Sequence, residues 1–239
     1  CEAAAARFFI IFFCTTLTKP FAKSKILFMI GIIDYNAGNI KSVERSLLKL
    51  GAEYVLSKNP ADLVSCSKVI FPGVGEAKYA MEQLKSFGFD SFLKDFYEQG
   101  KPILGICLGS QIIFDYSEEG DVKCLGLLKG SIKHFHSVWK SLGKSPNLKV
   151  PEIGWNDLNY SNGSSWLLEG IPEHKDFYFV HSYIIQPEDE TIIKAWVDYG
   201  CKVPACVEKG SLTAFQFHPE KSGEFGLKIL KNFIEKTPE

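Results

Sequence analysis

The sequence predicts an α/β protein of three layers, in which a mostly parallel central sheet carries helices on both faces and gains antiparallel strands in its second half. Two patterns predict this fold class. Between residues 29 and 116, short apolar runs alternate with amphipathic stretches that end at glycines, which is typical of the strand–helix units of a parallel sheet. Beyond residue 150, strand-like segments joined by turns follow one another, which is typical of antiparallel strands added at a sheet edge.

The first half supplies alternating strands and helices. Apolar runs predict strands at Met29–Ile33, Tyr54–Leu56, Val69–Phe71 and Pro102–Leu104, the last leading into Cys107. Amphipathic spacing and end signals predict helices at Ile40–Leu50, Glu76–Lys85, Ser91–Gln99 and Leu108–Tyr116, with a short one that begins at Asn59-Pro60. In the first helix, Val43, Leu47 and Leu50 share one face and Gly51 ends the helix.

The second half changes character after a polar loop predicted at Ser137–Lys149. Strands are predicted at Asn156–Tyr160, Phe177–Ile185, Thr191–Val197 and Ala205–Phe217, the last with a hairpin turn at Lys209-Gly210. A final helix, Glu224–Lys236, carries Leu227, Leu230, Phe233 and Ile234 at helical spacing. We expect these antiparallel strands to extend the parallel sheet.

Composition narrows the class of protein. The net charge of −1 argues against a nucleic-acid-binding protein and against one held to a membrane by basic charge. Seven cysteines without a C-x-x-C pair do not form the pattern of a secreted disulfide framework or of a zinc site, so we expect a cytoplasmic protein without a metal. Residues 1–28 do not fit the strand–helix pattern. We expect a non-native or targeting extension there and one domain at 29–239.

Cys107 is the strongest candidate nucleophile. It lies between Gly105 and Gly109, at the point where an apolar strand meets a helix, as in the cysteine form of a nucleophile elbow. A Cβ at either glycine position would clash in so tight a turn, and the start of a helix favours a thiolate. The pentapeptide alone fits a buried core cysteine equally well, so other residues must decide.

A base and an orienting carboxylate follow near the C-terminus. His218 ends a predicted strand, Pro219 stops that strand, and Glu220 lies two residues further on. In an extended segment, His218 and Glu220 would point to the same side. The carboxylate could then hold one imidazole nitrogen and leave the other for a nucleophile. A solvated surface turn is the alternative for these three residues alone.

Acyl transfer also needs an oxyanion hole. The elbow offers the backbone N–H of Leu108. The loop Pro72–Gly75 follows a neighbouring strand, at the strand end where such sheets bind ligands. We expect its second donor from Val74 or Gly75, although a plain strand-to-helix turn would explain the same residues.

These motifs together resemble the class I, triad-type glutamine amidotransferases, over essentially the whole of 29–236 and with a flavodoxin-like fold. Within that class the sequence is most similar to the glutaminase subunits of imidazole glycerol phosphate synthases. The segments that carry the resemblance are Ile32–Asn39, Phe71–Gly75, Gly105–Gln111, Ser117–Gly120, Gly154–Asn156, Phe179–Tyr183 and Gln216–Ser222.

The resemblance implies an activity and a set of site residues. Cys107 would attack the side-chain amide of L-glutamine, His218 would pass the proton to ammonia, and Glu220 would orient His218. Backbone N–H groups of Val74 and Leu108 would form the oxyanion hole, and Gly75, Gln111 and Glu119 would bind the substrate. Ammonia would pass to a (β/α)8-barrel cyclase or synthase subunit in a heterodimer of histidine biosynthesis, with Lys221, Trp155 and Asn156 at the interface. No cofactor, nucleic acid or membrane is implied.

The sequence departs from the subfamily pattern at two places near substrate or partner. Ser110 stands where the family usually has Met, and Glu152-Ile153 stands where it often has His-Met. A sister glutaminase that serves another synthase, such as one in surface-polysaccharide sugar biosynthesis, therefore remains an alternative. A non-catalytic subunit with a relic site, and a metal or redox site at Cys201 and Cys206, fit the residues less well.

Overall fold

The computed structural model describes residues 29–161, 163 and 165–238, so the predicted extension at 1–28 lies outside the described residues. In the described chain, the helices are α1 (Ile40–Lys49), α2 (Ala77–Phe87), α3 (Phe89–Glu98), α4 (Leu108–Gln111), α5 (Phe135–Ser141) and α6 (Gly223–Glu235). The strands are β1 (Ile30–Ile33), β2 (Tyr54–Ser57), β3 (Lys68–Gly73), β4 (Ile103–Cys107), β5 (Tyr116–Ser117), β6 (Val122–Lys123), β7 (Gly130–His134), β8 (Glu152–Asp157), β9 (Asn159–Tyr160), β10 (Asp176–His181), β11 (Tyr183–Pro187), β12 (Ile193–Asp198), β13 (Lys202–Lys209) and β14 (Leu212–Phe215). Single 3₁₀ turns lie at Pro60–Leu63, Glu190–Ile192 and Pro219–Lys221.

The central sheet has the strand order β2-β1-β3-β4-β14-β13-β12-β9. Strands β2, β1, β3, β4 and β14 pair in parallel, whereas β13, β12 and β9 continue the sheet in antiparallel pairs. The predicted fold class is therefore confirmed, including the antiparallel extension in the second half. The nucleophile-bearing β4 lies at the middle of the sheet, between β3 and β14.

Alternating side chains of the parallel strands build a core on each face of the sheet. On one face, Ile32, Ile70 and Leu104 pack with residues of α1 and α6. On the other face, Ile33 and Phe71 pack with residues of α2 and α3. Because each strand is covered on both sides, its sequence is apolar throughout rather than alternating, which is why these strands could be predicted.

Two smaller sheets stand beside the central one. Strands β8 and β10 form an antiparallel ribbon, and β11, β7, β5 and β6 form a second sheet. The single strand predicted at Phe177–Ile185 is wrong, because the chain changes sheet at Ser182: β10 pairs with β8, while β11 pairs with β7. The described residues hold no helix that is long and apolar enough to cross a membrane.

The helix predicted at Leu108–Tyr116 is also wrong beyond its first turn, since α4 ends at Gln111. The residues 112–114 that follow are completely buried, and their carbonyls accept N–H groups from the loop 125–128 instead of from a continuing helix. Likewise, the predicted loop Ser137–Lys149 begins inside α5, because Val138 and Trp139 are buried in the core.

Candidate active site

Cys107 is the last residue of β4, and its backbone is strained, with φ 54° and ψ −112°. A Cβ at Gly109 would lie 2.1 Å from the Phe71 carbonyl oxygen, and one at Gly105 would lie 3.0 Å from the Ala214 Cβ. The prediction that this turn needs glycine on both sides is confirmed. The helix after it, α4, spans only four residues, so the helix dipole that was expected to favour a thiolate is small.

His218 and Glu220 meet beneath the cavity that holds Cys107. Glu220 Oε1 lies 2.8 Å from His218 Nδ1, and the two side chains are 1% and 2% exposed. Because a carboxylate only accepts, Nδ1 carries a ring hydrogen, and Nε2 is the nitrogen left to exchange a proton with a nucleophile. Among the described residues, buried Nε2 has no hydrogen-bond partner at normal distance. Our expectation of an extended segment is wrong: β14 ends at Phe215, and the 3₁₀ turn Pro219–Lys221 brings Glu220 under the ring.

The surroundings of His218 favour its charged form. Burial by itself lowers the pKa of the imidazole, but Cys107 and Glu220 outweigh burial and raise this pKa to about 9. Cys107 and His218 line the same cavity. The arrangement can hold a proton on His218 beside a sulfur nucleophile.

A cavity of about 390 Å³ contains most of the predicted site. The predicted residues that line it are Val74, Gly75, Cys107, Leu108, Gln111, Glu119, His218 and Lys221. The others are Pro151, Val180, His181, Ser182 and Tyr183. Pro151 lies just before β8, and the other four lie on β10, at Ser182 and at the start of β11; no site role was predicted for them from the sequence.

The Val74 N–H is not available as an oxyanion donor in this conformation, because it donates to the Ala37 carbonyl at 2.9 Å. Of the two donors expected in the Pro72–Gly75 loop, the Val74 N–H is thus engaged, and the Gly75 N–H remains the other candidate. Gly75 follows with φ 94°, a left-handed conformation that favours glycine. The loop thus contains one N–H that is already hydrogen-bonded, at Val74, and one glycine, Gly75, in a backbone conformation that other residues rarely adopt.

Gln111 and Glu119 both face the cavity with part of their polar groups already bonded. Gln111 Nε2 donates to the Tyr183 carbonyl at 3.2 Å and to Gln216 Oε1 at 2.8 Å, so its own oxygen is the group left for a ligand. Glu119 Oε2 accepts the Ala77 N–H at 2.9 Å. Partial burial raises the pKa of the Glu119 carboxyl.

A second buried histidine–carboxylate pair lies at the cavity wall, and the sequence analysis assigned it no role. His181 Nε2 lies 3.0 Å from Glu152 Oε2, and its Nδ1 lies 2.7 Å from the Tyr183 carbonyl oxygen. Glu152 Oε1 accepts from Asn156 Nδ2 at 2.9 Å. The signal that could have found the pair is the antiparallel register, which sets His181 opposite Glu152.

The three residues expected at a partner interface lie in different settings. Trp155 is 57% exposed and packs edge-on against Tyr178. Lys221 lies over the same Tyr178 ring, 5.6 Å from its centroid, and also lines the cavity. Asn156 instead turns toward Glu152 and the Asp198 carbonyl. Trp155 and Lys221 therefore form a surface beside the opening of the cavity. Asn156 instead donates a hydrogen bond to Glu152 of the buried His181–Glu152 pair.

No group of metal-ligating side chains forms in the described parts of the chain. Cys201 and Cys206 are buried free thiols. Burial raises the pKa of both, which disfavours the reactive thiolate. The geometry gives the alternative of a metal or redox site at these two residues no support.

Comparison with known proteins gives a consistent family. Residues 31–237 match the family model described as glutamine amidotransferase class-I. A relative from Dehalococcoides mccartyi, named imidazole glycerol phosphate synthase subunit HisH, is 44% identical over 208 residues, which cover 87% of this chain and 97% of the relative. A relative of the same name from Geobacillus kaustophilus is 45% identical over 207 residues, which cover 86% and 96%.

Solved structures share the fold at lower identity. The structure described as PurLQS from Thermotoga maritima aligns with a TM-score of 0.65 and 21% identity, over 86% of this chain and 97% of that chain. A crystal structure described as a glutamine amidotransferase aligns with a TM-score of 0.64 and 19% identity, over 86% and 96%. At these identities the likeness concerns the fold alone.

Proposed function

The chain belongs to the class I glutamine amidotransferase family, and from this premise we propose that it is the glutaminase subunit of an imidazole glycerol phosphate synthase. It hydrolyses L-glutamine to L-glutamate and ammonia, and it supplies the ammonia to a synthase subunit for histidine biosynthesis. One observation carries the proposal: in a chain 44% identical to a HisH subunit, Cys107 and His218 line one cavity, and Glu220 holds His218 from behind.

The chemistry follows from the three side chains. The Cys107 sulfur attacks the amide carbon of glutamine, and its proton is held on His218 Nε2. The tetrahedral intermediate collapses as this proton goes to the leaving nitrogen, which departs as ammonia and leaves a glutamyl thioester. Water then gives a proton to His218 and attacks the thioester, and glutamate and the thiol are released. Glu220 keeps the ring oriented and stabilises its charged form.

Two cavity residues are suited to glutamine itself. Glu119 can pair with the α-ammonium group, because a carboxylate forms strong hydrogen bonds with a cation. The free oxygen of Gln111 can accept from an N–H of the substrate, since both hydrogens of its own amide are already bonded. Gly75 offers a close backbone approach at the cavity wall.

The oxyanion hole requires one change in the loop. Leu108 begins α4 and lines the cavity, and its N–H is the first proposed donor. The second, at Val74, must first leave the Ala37 carbonyl. We therefore expect weak glutaminase activity from the chain alone and strong activation when a partner rearranges the loop.

The surface beside the cavity mouth fits a partner subunit. Val74, Ile153 and Trp155 are exposed apolar side chains, and Lys221 reaches from the cavity to the Tyr178 ring next to Trp155. A partner that covers them would close the cavity from water and receive the ammonia. The partner we propose is a (β/α)8-barrel cyclase, in a heterodimer. The free cysteines of the described chain support a reducing compartment such as the cytoplasm.

Glutamate release, measured with and without the cyclase subunit of the same organism, tests the proposal. We expect the cyclase to raise the rate, and Cys107→Ala to abolish release in both conditions while the circular-dichroism spectrum stays native. Cys124→Ala is the matched control, because Cys124 is a half-buried thiol outside the cavity. Activity retained in Cys107→Ala would refute the mechanism. Activation by another synthase, and not by the cyclase, would favour the sister glutaminase.

A further inference from the structure

A line of buried hydrogen bonds reaches the Cys107 sulfur through side chains that are not part of the proposed triad. Gln216 Nε2 lies 3.9 Å from Cys107 Sγ, and Gln216 Oε1 accepts from Gln111 Nε2 at 2.8 Å. Gln111 Nε2 also donates to the main-chain carbonyl of Tyr183 at 3.2 Å. Gln216 is completely buried, so its amide must find its partners among these groups.

The direction of this line is fixed at its far end. The Tyr183 carbonyl can only accept, so Gln111 must present its NH₂ group there. The same NH₂ group faces Gln216, so the side-chain oxygen of Gln216 must accept this hydrogen bond. Only one orientation then remains for Gln216, and it turns the NH₂ group toward Cys107. The reverse orientation would bring two NH₂ groups together and leave buried polar atoms unsatisfied, which costs about 1–3 kcal/mol.

The Cys107 sulfur has a second neighbour, which favours the opposite protonation state. The Val180 carbonyl oxygen lies 3.9 Å from Cys107 Sγ. This carbonyl can accept the S–H hydrogen of a thiol, but it has no hydrogen to give a thiolate. The N–H of Gln216 is attracted more strongly by a thiolate than by a thiol, because hydrogen bonds to charged groups are the stronger ones. Val180 thus favours the resting thiol, and Gln216 favours the reactive thiolate.

We propose that Gln216 is a further catalytic residue: its side-chain amide donates to the Cys107 sulfur and stabilises the attacking thiolate, while Gln111 is the positioning residue that holds this amide in place. The inference rests on the proposed role of Cys107 as the nucleophile. When the thiol ionises, its proton goes to His218 and Gln216 bonds to the negative sulfur. When the C–S bond of the thioester forms, the sulfur loses its negative charge, and the hydrogen bond from Gln216 weakens.

Alkylation of Cys107 by iodoacetamide tests the proposal, because it measures thiolate reactivity and needs neither glutamine nor a partner. The rate is followed by peptide mass spectrometry from about pH 5 to about pH 9.5. Gln216→Glu keeps the acceptor for Gln111 but replaces the donor by an anion, so we expect alkylation about tenfold slower at neutral pH. Gln216→Met removes the donor without adding charge, and we expect about a threefold decrease.

Gln111→Met leaves Gln216 in place but removes the NH₂ group that orients its amide. We therefore expect slower alkylation of Cys107, with a smaller decrease than in Gln216→Met. Thr213→Val is the matched control, since Thr213 is a buried polar residue of β14, three residues before Gln216, that bonds to Glu208 and not to Cys107. The titratable side chains of His218 and Tyr35, which interact electrostatically with Cys107, remain in every variant.

If wild type and Gln216→Met show the same alkylation rate of Cys107 at every pH, the proposal is overturned. It is also overturned if Thr213→Val slows alkylation as much as Gln216→Met does. If Gln216→Glu does not fold, Gln216→Met decides. The failures of the two proposals can be told apart. Slower alkylation in the Gln216 variants of a chain without glutaminase activity would keep the contact between Gln216 and the sulfur, but it would refute the proposed function and with it the catalytic role of Gln216. Unchanged alkylation in the Gln216 variants of a chain with that activity would refute the role of Gln216 and keep the proposed function.

Discussion

Two histidine–carboxylate pairs lie close to one cavity and differ in how their ring nitrogens and carboxylate oxygens are engaged. His218–Glu220 and His181–Glu152 are both buried to within a few per cent, and their N–O distances are 2.8 and 3.0 Å. In the first pair, one ring nitrogen has no hydrogen-bond partner among the described residues. In the second pair, both nitrogens are occupied, one by Glu152 and the other by the Tyr183 carbonyl.

The comparison shows that burial and a carboxylate partner do not make a histidine a base. A general base needs a lone pair within reach of the proton that it takes. His218 Nε2 is left without a competing partner at the cavity, whereas His181 uses its ring to tie the β8–β10 ribbon to the main chain of β11. We therefore expect the same chemical pair to serve proton transfer in one place and structure in the other.

The largest expected effect separates the two histidines. His218→Gln should lower kcat for glutamate release about 10⁴-fold, because it removes the proton carrier, and should leave the fold intact. His181→Gln should keep kcat within about tenfold, but lower the free energy of unfolding by about 3 kcal/mol, because buried Glu152 loses the hydrogen-bond partner of its Oε2. Steady-state kinetics with the cyclase present and urea denaturation of both variants measure the two effects. A loss of activity of equal size in both variants would end the distinction.

The carboxylates should differ in the same way. Glu220→Gln should lower kcat about 10³-fold, since a neutral partner no longer stabilises the charged imidazole. Glu152→Gln should change kcat less than about threefold, because its amide can donate to His181 Nε2 while its oxygen still accepts from Asn156. The pH–rate profiles sharpen the test: only Glu220→Gln should move the limb that belongs to His218.

The smallest expected effect concerns stability. The pKa of His218 is raised from 6.5 in the unfolded reference to about 9 in the folded protein. The raised pKa therefore stabilises the fold fully below about pH 6.5, and this contribution disappears as the pH rises through about 9. Urea unfolding of wild type should show a decrease of at most about 3 kcal/mol over this interval. His218→Gln should lack that component, and an unchanged slope in this variant would assign the pH dependence to other groups.

The sequence predicted the parallel half of the fold well for a physical reason. Strands β1, β3 and β4 are buried on both faces, so apolar runs between glycine-ended helices mark them plainly. The helix after Cys107 was overestimated, because Ile112, Ile113 and Phe114 continue an apolar pattern while their carbonyls bond to a distant loop. Such non-local hydrogen bonds leave no periodic signal.

In the candidate site, too, features within short motifs could be predicted from the sequence, whereas contacts between distant segments could not. Cys107, His218 and Glu220 stand in short motifs that mark them as a set, although the 3₁₀ turn that brings Glu220 to His218 was not predicted. The engagement of Val74 with Ala37, and the contact of Gln216 with the sulfur, join segments that are distant in sequence. Their existence depends on how strands and loops come together, so neither could be deduced from spacing.

The Tyr183 carbonyl has a consequence for how this site responds to mutation. It accepts hydrogen bonds from both His181 and Gln111, yet it belongs to the main chain and is present whichever amino acid is encoded at that position. An alanine scan would therefore report Tyr183 as the loss of a phenol ring and would miss the junction altogether. Replacement of the following amide by an ester weakens the carbonyl as an acceptor, and it is the chemical change that would reveal this junction.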